Sequence, residues 1–369
     1  MIYLDYAANT PVLDEVLDEF NYATKKYIAN PNSSHKLGVL AKTKIDEAST
    51  YLANYFKCNK EAIIYTSGSS ESNNLVIKGI ANIRKNLGNK IIISAVEHSS
   101  VIAPCNYLME NGFDVSVIPL NSDGRVNLKV LEDEIDDNTV LVSICSIDSE
   151  LGTIQPIKEI SEIVKKYPNC VFHTDATQAI GKIDIDYSCC DFITFAPHKF
   201  YGLNGFGCLI NRNNNKLAPI IHGGKSTTIY RSGTPVTANV LALKKAFEIA
   251  VNKLDERYSY IKKISDYLKE VLSKIECIHI NSPKGSIPNT INISLINKDT
   301  KRIVEELNKS DIYVSTKTAC SLDDVPSLSV LAIKNDRTLA LNSIRISISH
   351  LTTKEEIDIL ISKLNELLS

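Results

Sequence analysis

The sequence has no surplus of either charge: 41 Lys and Arg stand against 43 Asp and Glu, a formal net charge of −2. That leaves no basic footprint for a nucleic acid and no polyanionic tail. No apolar run approaches the roughly 20 residues of a membrane span. The opening Met1-Ile-Tyr-Leu-Asp5 has neither a basic start nor a long apolar stretch, so no secretory signal is expected. The nine cysteines include no Cys-x-x-Cys pair, which removes the usual zinc and thioredoxin-type spacings and leaves no metal site expected. A reducing, cytoplasmic setting is the expectation. Cys145, Cys170 and Cys208 lie in β-like runs and read as small core residues. Internal repeats, low-complexity tracts and disordered linkers are also missing.

What is present is ordinary globular composition, 44% hydrophobic over 369 residues, a length that favours one large and one small domain. Apolar runs at 61–66, 90–95, 114–118, 139–145, 170–174, 191–195 and 206–210 read as strands. Amphipathic segments at 70–86, 99–111, 128–135 and 157–167 read as the helices between them. That alternation predicts an α/β domain: a mostly parallel seven-stranded sheet flanked by helices. After about residue 240 the pattern changes. Ile261, Ile264, Leu268, Val271, Leu272 and Ile275 fall at helical spacing. With strands near 289–295 and 344–349 and a last helix from about 353, they predict a smaller α+β unit.

Polar groups gather where five of the strands end: Thr66 to Glu71, Glu97-His98, Ser146 to Gly152, Asp175 with Gln178, and His198-Lys199. Ligands of open α/β sheets bind beyond the carboxyl ends of strands. Charges at strand ends are by default solvated, so each residue alone says little. Together, a lysine and a carboxylate at two such ends suit pyridoxal phosphate. That cofactor needs an amine for a Schiff base and an acid for its ring nitrogen. Ser67-Gly68-Ser69-Ser70 at a helix start reads either as a plain cap or as a phosphate cradle, and beside Lys199 and Asp175 the cradle is the better reading. Arg231 lies in a turn-like segment whose default is solvation. Arg345 is a charge inside an alternating strand, so it points to solvent or holds an anion such as a carboxylate. Cys320 lies in a polar, loop-like stretch where a thiol is accessible.

Over nearly its whole length the chain resembles the cysteine desulfurases, fold-type I pyridoxal-phosphate enzymes of the class V aminotransferase group. The runs that carry the resemblance include Tyr3-Leu-Asp-Tyr-Ala-Ala-Asn-Thr-Pro11, Asn30-Pro-Asn-Ser-Ser-His35, Thr66-Ser-Gly-Ser-Ser-Glu-Ser-Asn-Asn74, Phe172-His-Thr-Asp-Ala-Thr-Gln178, Arg231-Ser-Gly-Thr234 and Ala319-Cys-Ser321. The resemblance implies a large cofactor domain over 14–255 and a small domain from 1–13 and 256–369 that carries the Cys320 loop. It implies that Lys199 holds the cofactor, Asp175 pairs with the ring nitrogen, Gln178 touches the ring oxygen and His98 stacks on the ring. Ser69, Ser70 and His198 would serve the phosphate. Thr234 would reach the phosphate of a neighbouring subunit, hence a homodimer. Arg345 and Ser149 would face the substrate carboxylate. Cys320 would take sulfur from L-cysteine, leaving L-alanine, and pass it from a persulfide to an acceptor protein for iron–sulfur clusters or thiolated tRNA.

The chain departs from the family pattern at several supports. Asp148-Ser149-Glu150 stands where the family has Asn-Asn-Glu, Ala196 replaces a phosphate-binding Ser, and Tyr6 replaces an Asn. Leu203-Asn204 replace Pro-Lys, and His350 replaces an Arg. These leave two other readings open: a selenocysteine lyase or other pyridoxal-phosphate lyase or transaminase, and a non-catalytic scaffold.

Overall fold

A computed structural model of the chain describes residues 1–316 and 325–369. A short strand β1 (Ile2–Tyr3) precedes a seven-stranded sheet. Its strands are β2 (Ile63–Thr66), β3 (Lys90–Ser94), β4 (Asp114–Ile118), β5 (Thr139–Ser143), β6 (Val171–Asp175), β7 (Phe192–Phe195) and β8 (Gly207–Asn211). Their spatial order is β2-β8-β7-β6-β5-β3-β4. Only β8 runs antiparallel to its neighbours, so the other six strands all point the same way.

The sheet forms because its strands carry apolar residues on both faces. Successive side chains alternate between two cores. Ile92, Val142, Phe172, Ile193 and Ile210 face one core. Ile91, Leu141, Val171, Phe192 and Leu209 face the other. Helices Ser69–Arg84 and Ser99–Glu110 cover the second face through Leu75, Val76, Ile80, Val101 and Leu108. Helices Asp14–Lys26, Lys36–Tyr55, Ile157–Val164 and Thr237–Asn252 cover the first.

A separate core holds the rest. Strands β9 (Ile278–Ile280), β10 (Thr290–Leu295) and β12 (Ser343–Ser347) form an antiparallel sheet, and β11 (Ile312–Tyr313) pairs in parallel with β1. Ile2 and Leu4 pack there with Ile264, Leu268, Ile293, Ile344, Ile346 and Leu364. The chain's first residues therefore complete a core built from its last third. The final helix, Lys354–Leu368, starts from a reciprocal cap between Thr353 and Glu356. No helix among the described residues is long and apolar enough to cross a membrane.

Candidate active site

The carboxyl ends of β2, β3, β5, β6 and β7 open into one cavity of about 420 Å³. That size suits a small-molecule site. Ser69, Ser70, His98, Ser149, Asp175, Gln178, His198 and Lys199 all contribute to its walls. The strand-end rule thus brings together eight of the eleven residues singled out in the sequence. Of the others, Arg345 lies behind Ser149, Thr234 is exposed away from the cavity, and Cys320 lies outside the described residues.

Lys199 ends the short turn Pro197–Lys199 that follows β7. Its Nζ donates to the carbonyl oxygens of Ala7, at 2.9 Å, and Ala8, at 2.6 Å. The N-terminal segment supplies those acceptors. Thr10 ties the segment down by donating from its backbone N–H and its hydroxyl to the carbonyl of His198. The amine is thereby aimed by a piece of chain nearly two hundred residues earlier.

Asp175 closes β6, and both of its carboxyl oxygens are held. Oδ1 accepts from the Thr177 N–H at 2.9 Å, and Oδ2 accepts from Asn73 Nδ2 at 2.8 Å. Asn73 also donates to Ser100 Oγ at 2.9 Å, and Ser100 Oγ lies 2.7 Å from His98 Nδ1. The Ser100 N–H donates to that same nitrogen at 3.1 Å, as His98 caps helix Ser99–Glu110. Nδ1 is therefore an acceptor, and the ring's proton sits on Nε2. Burial lowers the His98 pKa, with Asp175 opposing and Lys199 adding to that shift. The ring is neutral and its orientation is fixed.

Helix Ser69–Arg84 begins at Gly68 with no side-chain cap, so its first N–H groups are unspent beside the hydroxyls of Ser69 and Ser70. That arrangement, with the positive end of the helix dipole, makes an anion cradle. Arg231 is paired rather than solvated: its Nε donates to Glu71 Oε1 at 2.8 Å. Burial alone would raise the Glu71 pKa, but Arg231 and the Ser67 N–H hold it below the usual value. His198 is pushed down to about 4 by burial and by the cations Lys199 and Lys182, so its imidazole is neutral too. Glu97 goes the other way. Burial raises it to about 8 although Ser94 Oγ and the Cys145 N–H donate to it, so it is uncharged at neutral pH.

Arg345, fully buried in β12, has taken the anion option rather than solvent. Nη2 meets Asp5 Oδ1 at 2.9 Å, and Nη1 donates to the Ser149 carbonyl at 3.1 Å. Two of the departures from the family pattern, Tyr6 and His350, share the wall of a second cavity of about 20 Å³ that also touches Lys199 and Lys182. Reading the sequence missed Asn73 as the orienter of Asp175, although it sits one helical turn from Ser69 and Ser70. It also missed Lys182, four residues after Gln178, and the backbone acceptors of Ala7 and Ala8.

The residues fit pyridoxal phosphate. An amine capable of a Schiff base stands in the cavity with a carboxyl held by two donors, a flat neutral ring and an uncapped helix start. Among the described residues, no group of three or more His, Cys, Asp or Glu is placed to hold a metal ion.

The model of the class-V aminotransferase family matches residues 2–360. A cysteine desulfurase IscS of Dictyoglomus turgidum is 37% identical over 97% of this chain and 92% of its own length. The mitosomal cysteine desulfurase of Encephalitozoon cuniculi is 35% identical over 98% of this chain and 85% of its own. Among solved structures, a NifS-like protein superposes with a TM-score of 0.93 at 34% identity, covering 100% of this chain and 99% of that one. The chain belongs to the class-V aminotransferases, within their cysteine desulfurase family.

Proposed function

We propose that this protein is a pyridoxal-phosphate-dependent cysteine desulfurase that converts L-cysteine to L-alanine and leaves a persulfide on Cys320. The observation that carries the reading is one cavity walled by Lys199, Asp175, Gln178, His98 and the uncapped serine-rich helix start. Lys199 holds the cofactor through its amine, Asp175 faces the ring nitrogen, and Ser69, Ser70 and His198 serve the phosphate. Bound pyridoxal phosphate supplies an electron sink for negative charge at the substrate α-carbon.

The chain's own groups do the rest. Lys199 Nζ, freed when substrate binds, removes and returns the proton at the α-carbon. The neutral His98 would stack on the ring and keep water from that face. Arg345 offers its guanidinium toward the substrate carboxylate beside Ser149. Cys320 Sγ, as thiolate, forms a bond to the substrate sulfur while the carbon–sulfur bond breaks; the bond's electron pair stays with the β-carbon, which takes a proton to become alanine's methyl group. Alanine leaves, and the persulfide passes to an acceptor protein. The polar sequence around Cys320 suits a thiol that must reach both places. Thr234, exposed and outside its own chain's cavity wall, serves the phosphate of a second subunit in a homodimer. We further assign residues 14–255 to the cofactor domain, and 1–13 with 256–369 to the small domain, in a cytoplasmic enzyme.

The test is alanine production from L-cysteine under excess reductant, by the cofactor-loaded protein and by its Cys320→Ala variant. Alanine from the first and none from the second is the expected result. None from either, with the cofactor absorbing normally, would overturn the reading. Ser149 and the buried Asp148 favour a second reading, a lyase or transaminase for another amino acid. A panel including selenocysteine and keto-acid acceptors separates the two.

A further inference from the structure

Lys182 is a half-buried amine with one hydrogen-bond partner among the described residues, Gln178 Oε1. Gln178 Nε2 donates to the Ala7 carbonyl at 3.0 Å, and that carbonyl also accepts from Lys199 Nζ at 2.9 Å. The two lysines are joined through one carboxamide and one carbonyl. An ammonium only donates and a carbonyl only accepts, so while Lys182 carries its proton the carboxamide cannot turn over without setting donor against donor. One N–H of Gln178 is left over, and Gln178 lines the large cavity.

We propose that Lys182 is a positioning residue for the cofactor site: it fixes the carboxamide of Gln178 so that an N–H, never the oxygen, faces the ligand's ring. The occupant favoured there is an electron-rich oxygen, as on the pyridoxal ring, so the inference rests on the proposed function. Lys182 also sets positive charge near Lys199 Nζ. Both lysines line the 20 Å³ cavity. Burial, then Lys199 and Arg345, bring the Lys182 pKa down to about 7.

The test compares wild type, Lys182→Met and Lys182→Arg. It reads cofactor dissociation, the pH midpoint of the bound cofactor's visible band, and the melting temperature of the cofactor-free protein. Methionine removes the donor and the charge. Without them a proton stays more readily on Lys199 Nζ. The midpoint is expected to rise by about one unit, a tenfold change in that equilibrium. Affinity for the cofactor is expected to fall about tenfold, the worth of one hydrogen bond to a charged or polar acceptor. The melting temperature should hold or rise, since an apolar chain replaces a buried charge. Arginine should restore the midpoint and the affinity. A methionine variant with wild-type midpoint and affinity overturns the proposal. Equal losses of melting temperature in both variants, which would mark a packing role, also overturn it. A wild type that takes up no cofactor removes the proposed function itself, and this inference with it.

Discussion

The two sides of the cavity follow the family pattern to different degrees. On the cofactor side, the ends of β2, β3, β6 and β7 supply Ser69, Ser70, His98, Asp175 and Lys199, of which the last three are anchored by backbone or side-chain partners. On the substrate side, the segment after β5 carries Asp148-Ser149-Glu150 in place of Asn-Asn-Glu. Asp148 and Glu150 are buried there. Ser329 donates to Asp148 at 2.9 Å, and Ser327 donates to Glu150. Arg345 on this side is already engaged by a carboxylate of its own chain, Asp5. Holding a planar cofactor demands a few fixed groups, and those are present save the phosphate-binding Ser that Ala196 replaces. Recognising a small substrate depends on the balance of charge, and that balance is this chain's own.

The comparison can be broken most strongly on the cofactor side. Lys199→Ala removes the amine that anchors the cofactor and moves the proton, so alanine formation should fall about 10³-fold or more. The cofactor's visible band should no longer be fixed to the protein by borohydride. On the substrate side, Arg345→Ala leaves Asp5 unpaired beside a buried gap. Thermal or urea unfolding should show a loss of about 3 kcal/mol, and activity should fall with it. Retained stability would mean that the Asp5–Arg345 pair does not stabilise the fold.

Asn73→Ala takes one donor from Asp175 and lets Ser100 and His98 drift. A hydrogen bond to a charged group is worth about 1.5–3 kcal/mol, so the cofactor should dissociate roughly 10- to 100-fold more readily. Equilibrium dialysis reads that change.

Asp148→Asn tests whether the substrate side carries a cost. Burial, then repulsion from Glu150, raises the Asp148 pKa from 3.8 to about 6. The native state therefore binds the proton more tightly than the unfolded chain. Stability is full below about pH 4 and is lost as pH rises toward and through 6. That loss is about 3 kcal/mol for two units, from which about 1 is subtracted because Asn cannot serve every N–H that Asp148 now accepts from. The variant should gain about 2 kcal/mol at pH 7 and lose up to about 1 kcal/mol at pH 4, by urea titration at both. A gain that does not depend on pH would show that charge is not the cause. The smallest effect is at Ser149. Ser149→Asn should change KM for L-cysteine by up to about tenfold and leave cofactor retention unchanged.

The sheet was legible because most of its strands are short, nearly continuous apolar runs, buried on both faces and separated by polar segments. All seven expected strands are present within two residues of their expected bounds, and the rule about strand ends then located the cavity. Helix Lys36–Tyr55 was not legible, because it packs through Ala41, Ala48 and Ala53, which make a weak apolar stripe. The long-range polar links were invisible for a different reason. Asp5 meets Arg345 across 340 positions, and Asp148 meets Ser329 across 181. No local pattern marks either partner. The motif runs pointed to residues that wall the cavity, and only the fold showed which of them Asn73, Lys182 and Ala7 hold in place.

The most direct measurement is a mass map of the cofactor-loaded protein after L-cysteine is added without reductant. One extra sulfur on the peptide containing Cys320, with alanine released alongside, is the expected result. Alanine without sulfur on that peptide would move the acceptor elsewhere, and neither product would contradict the account.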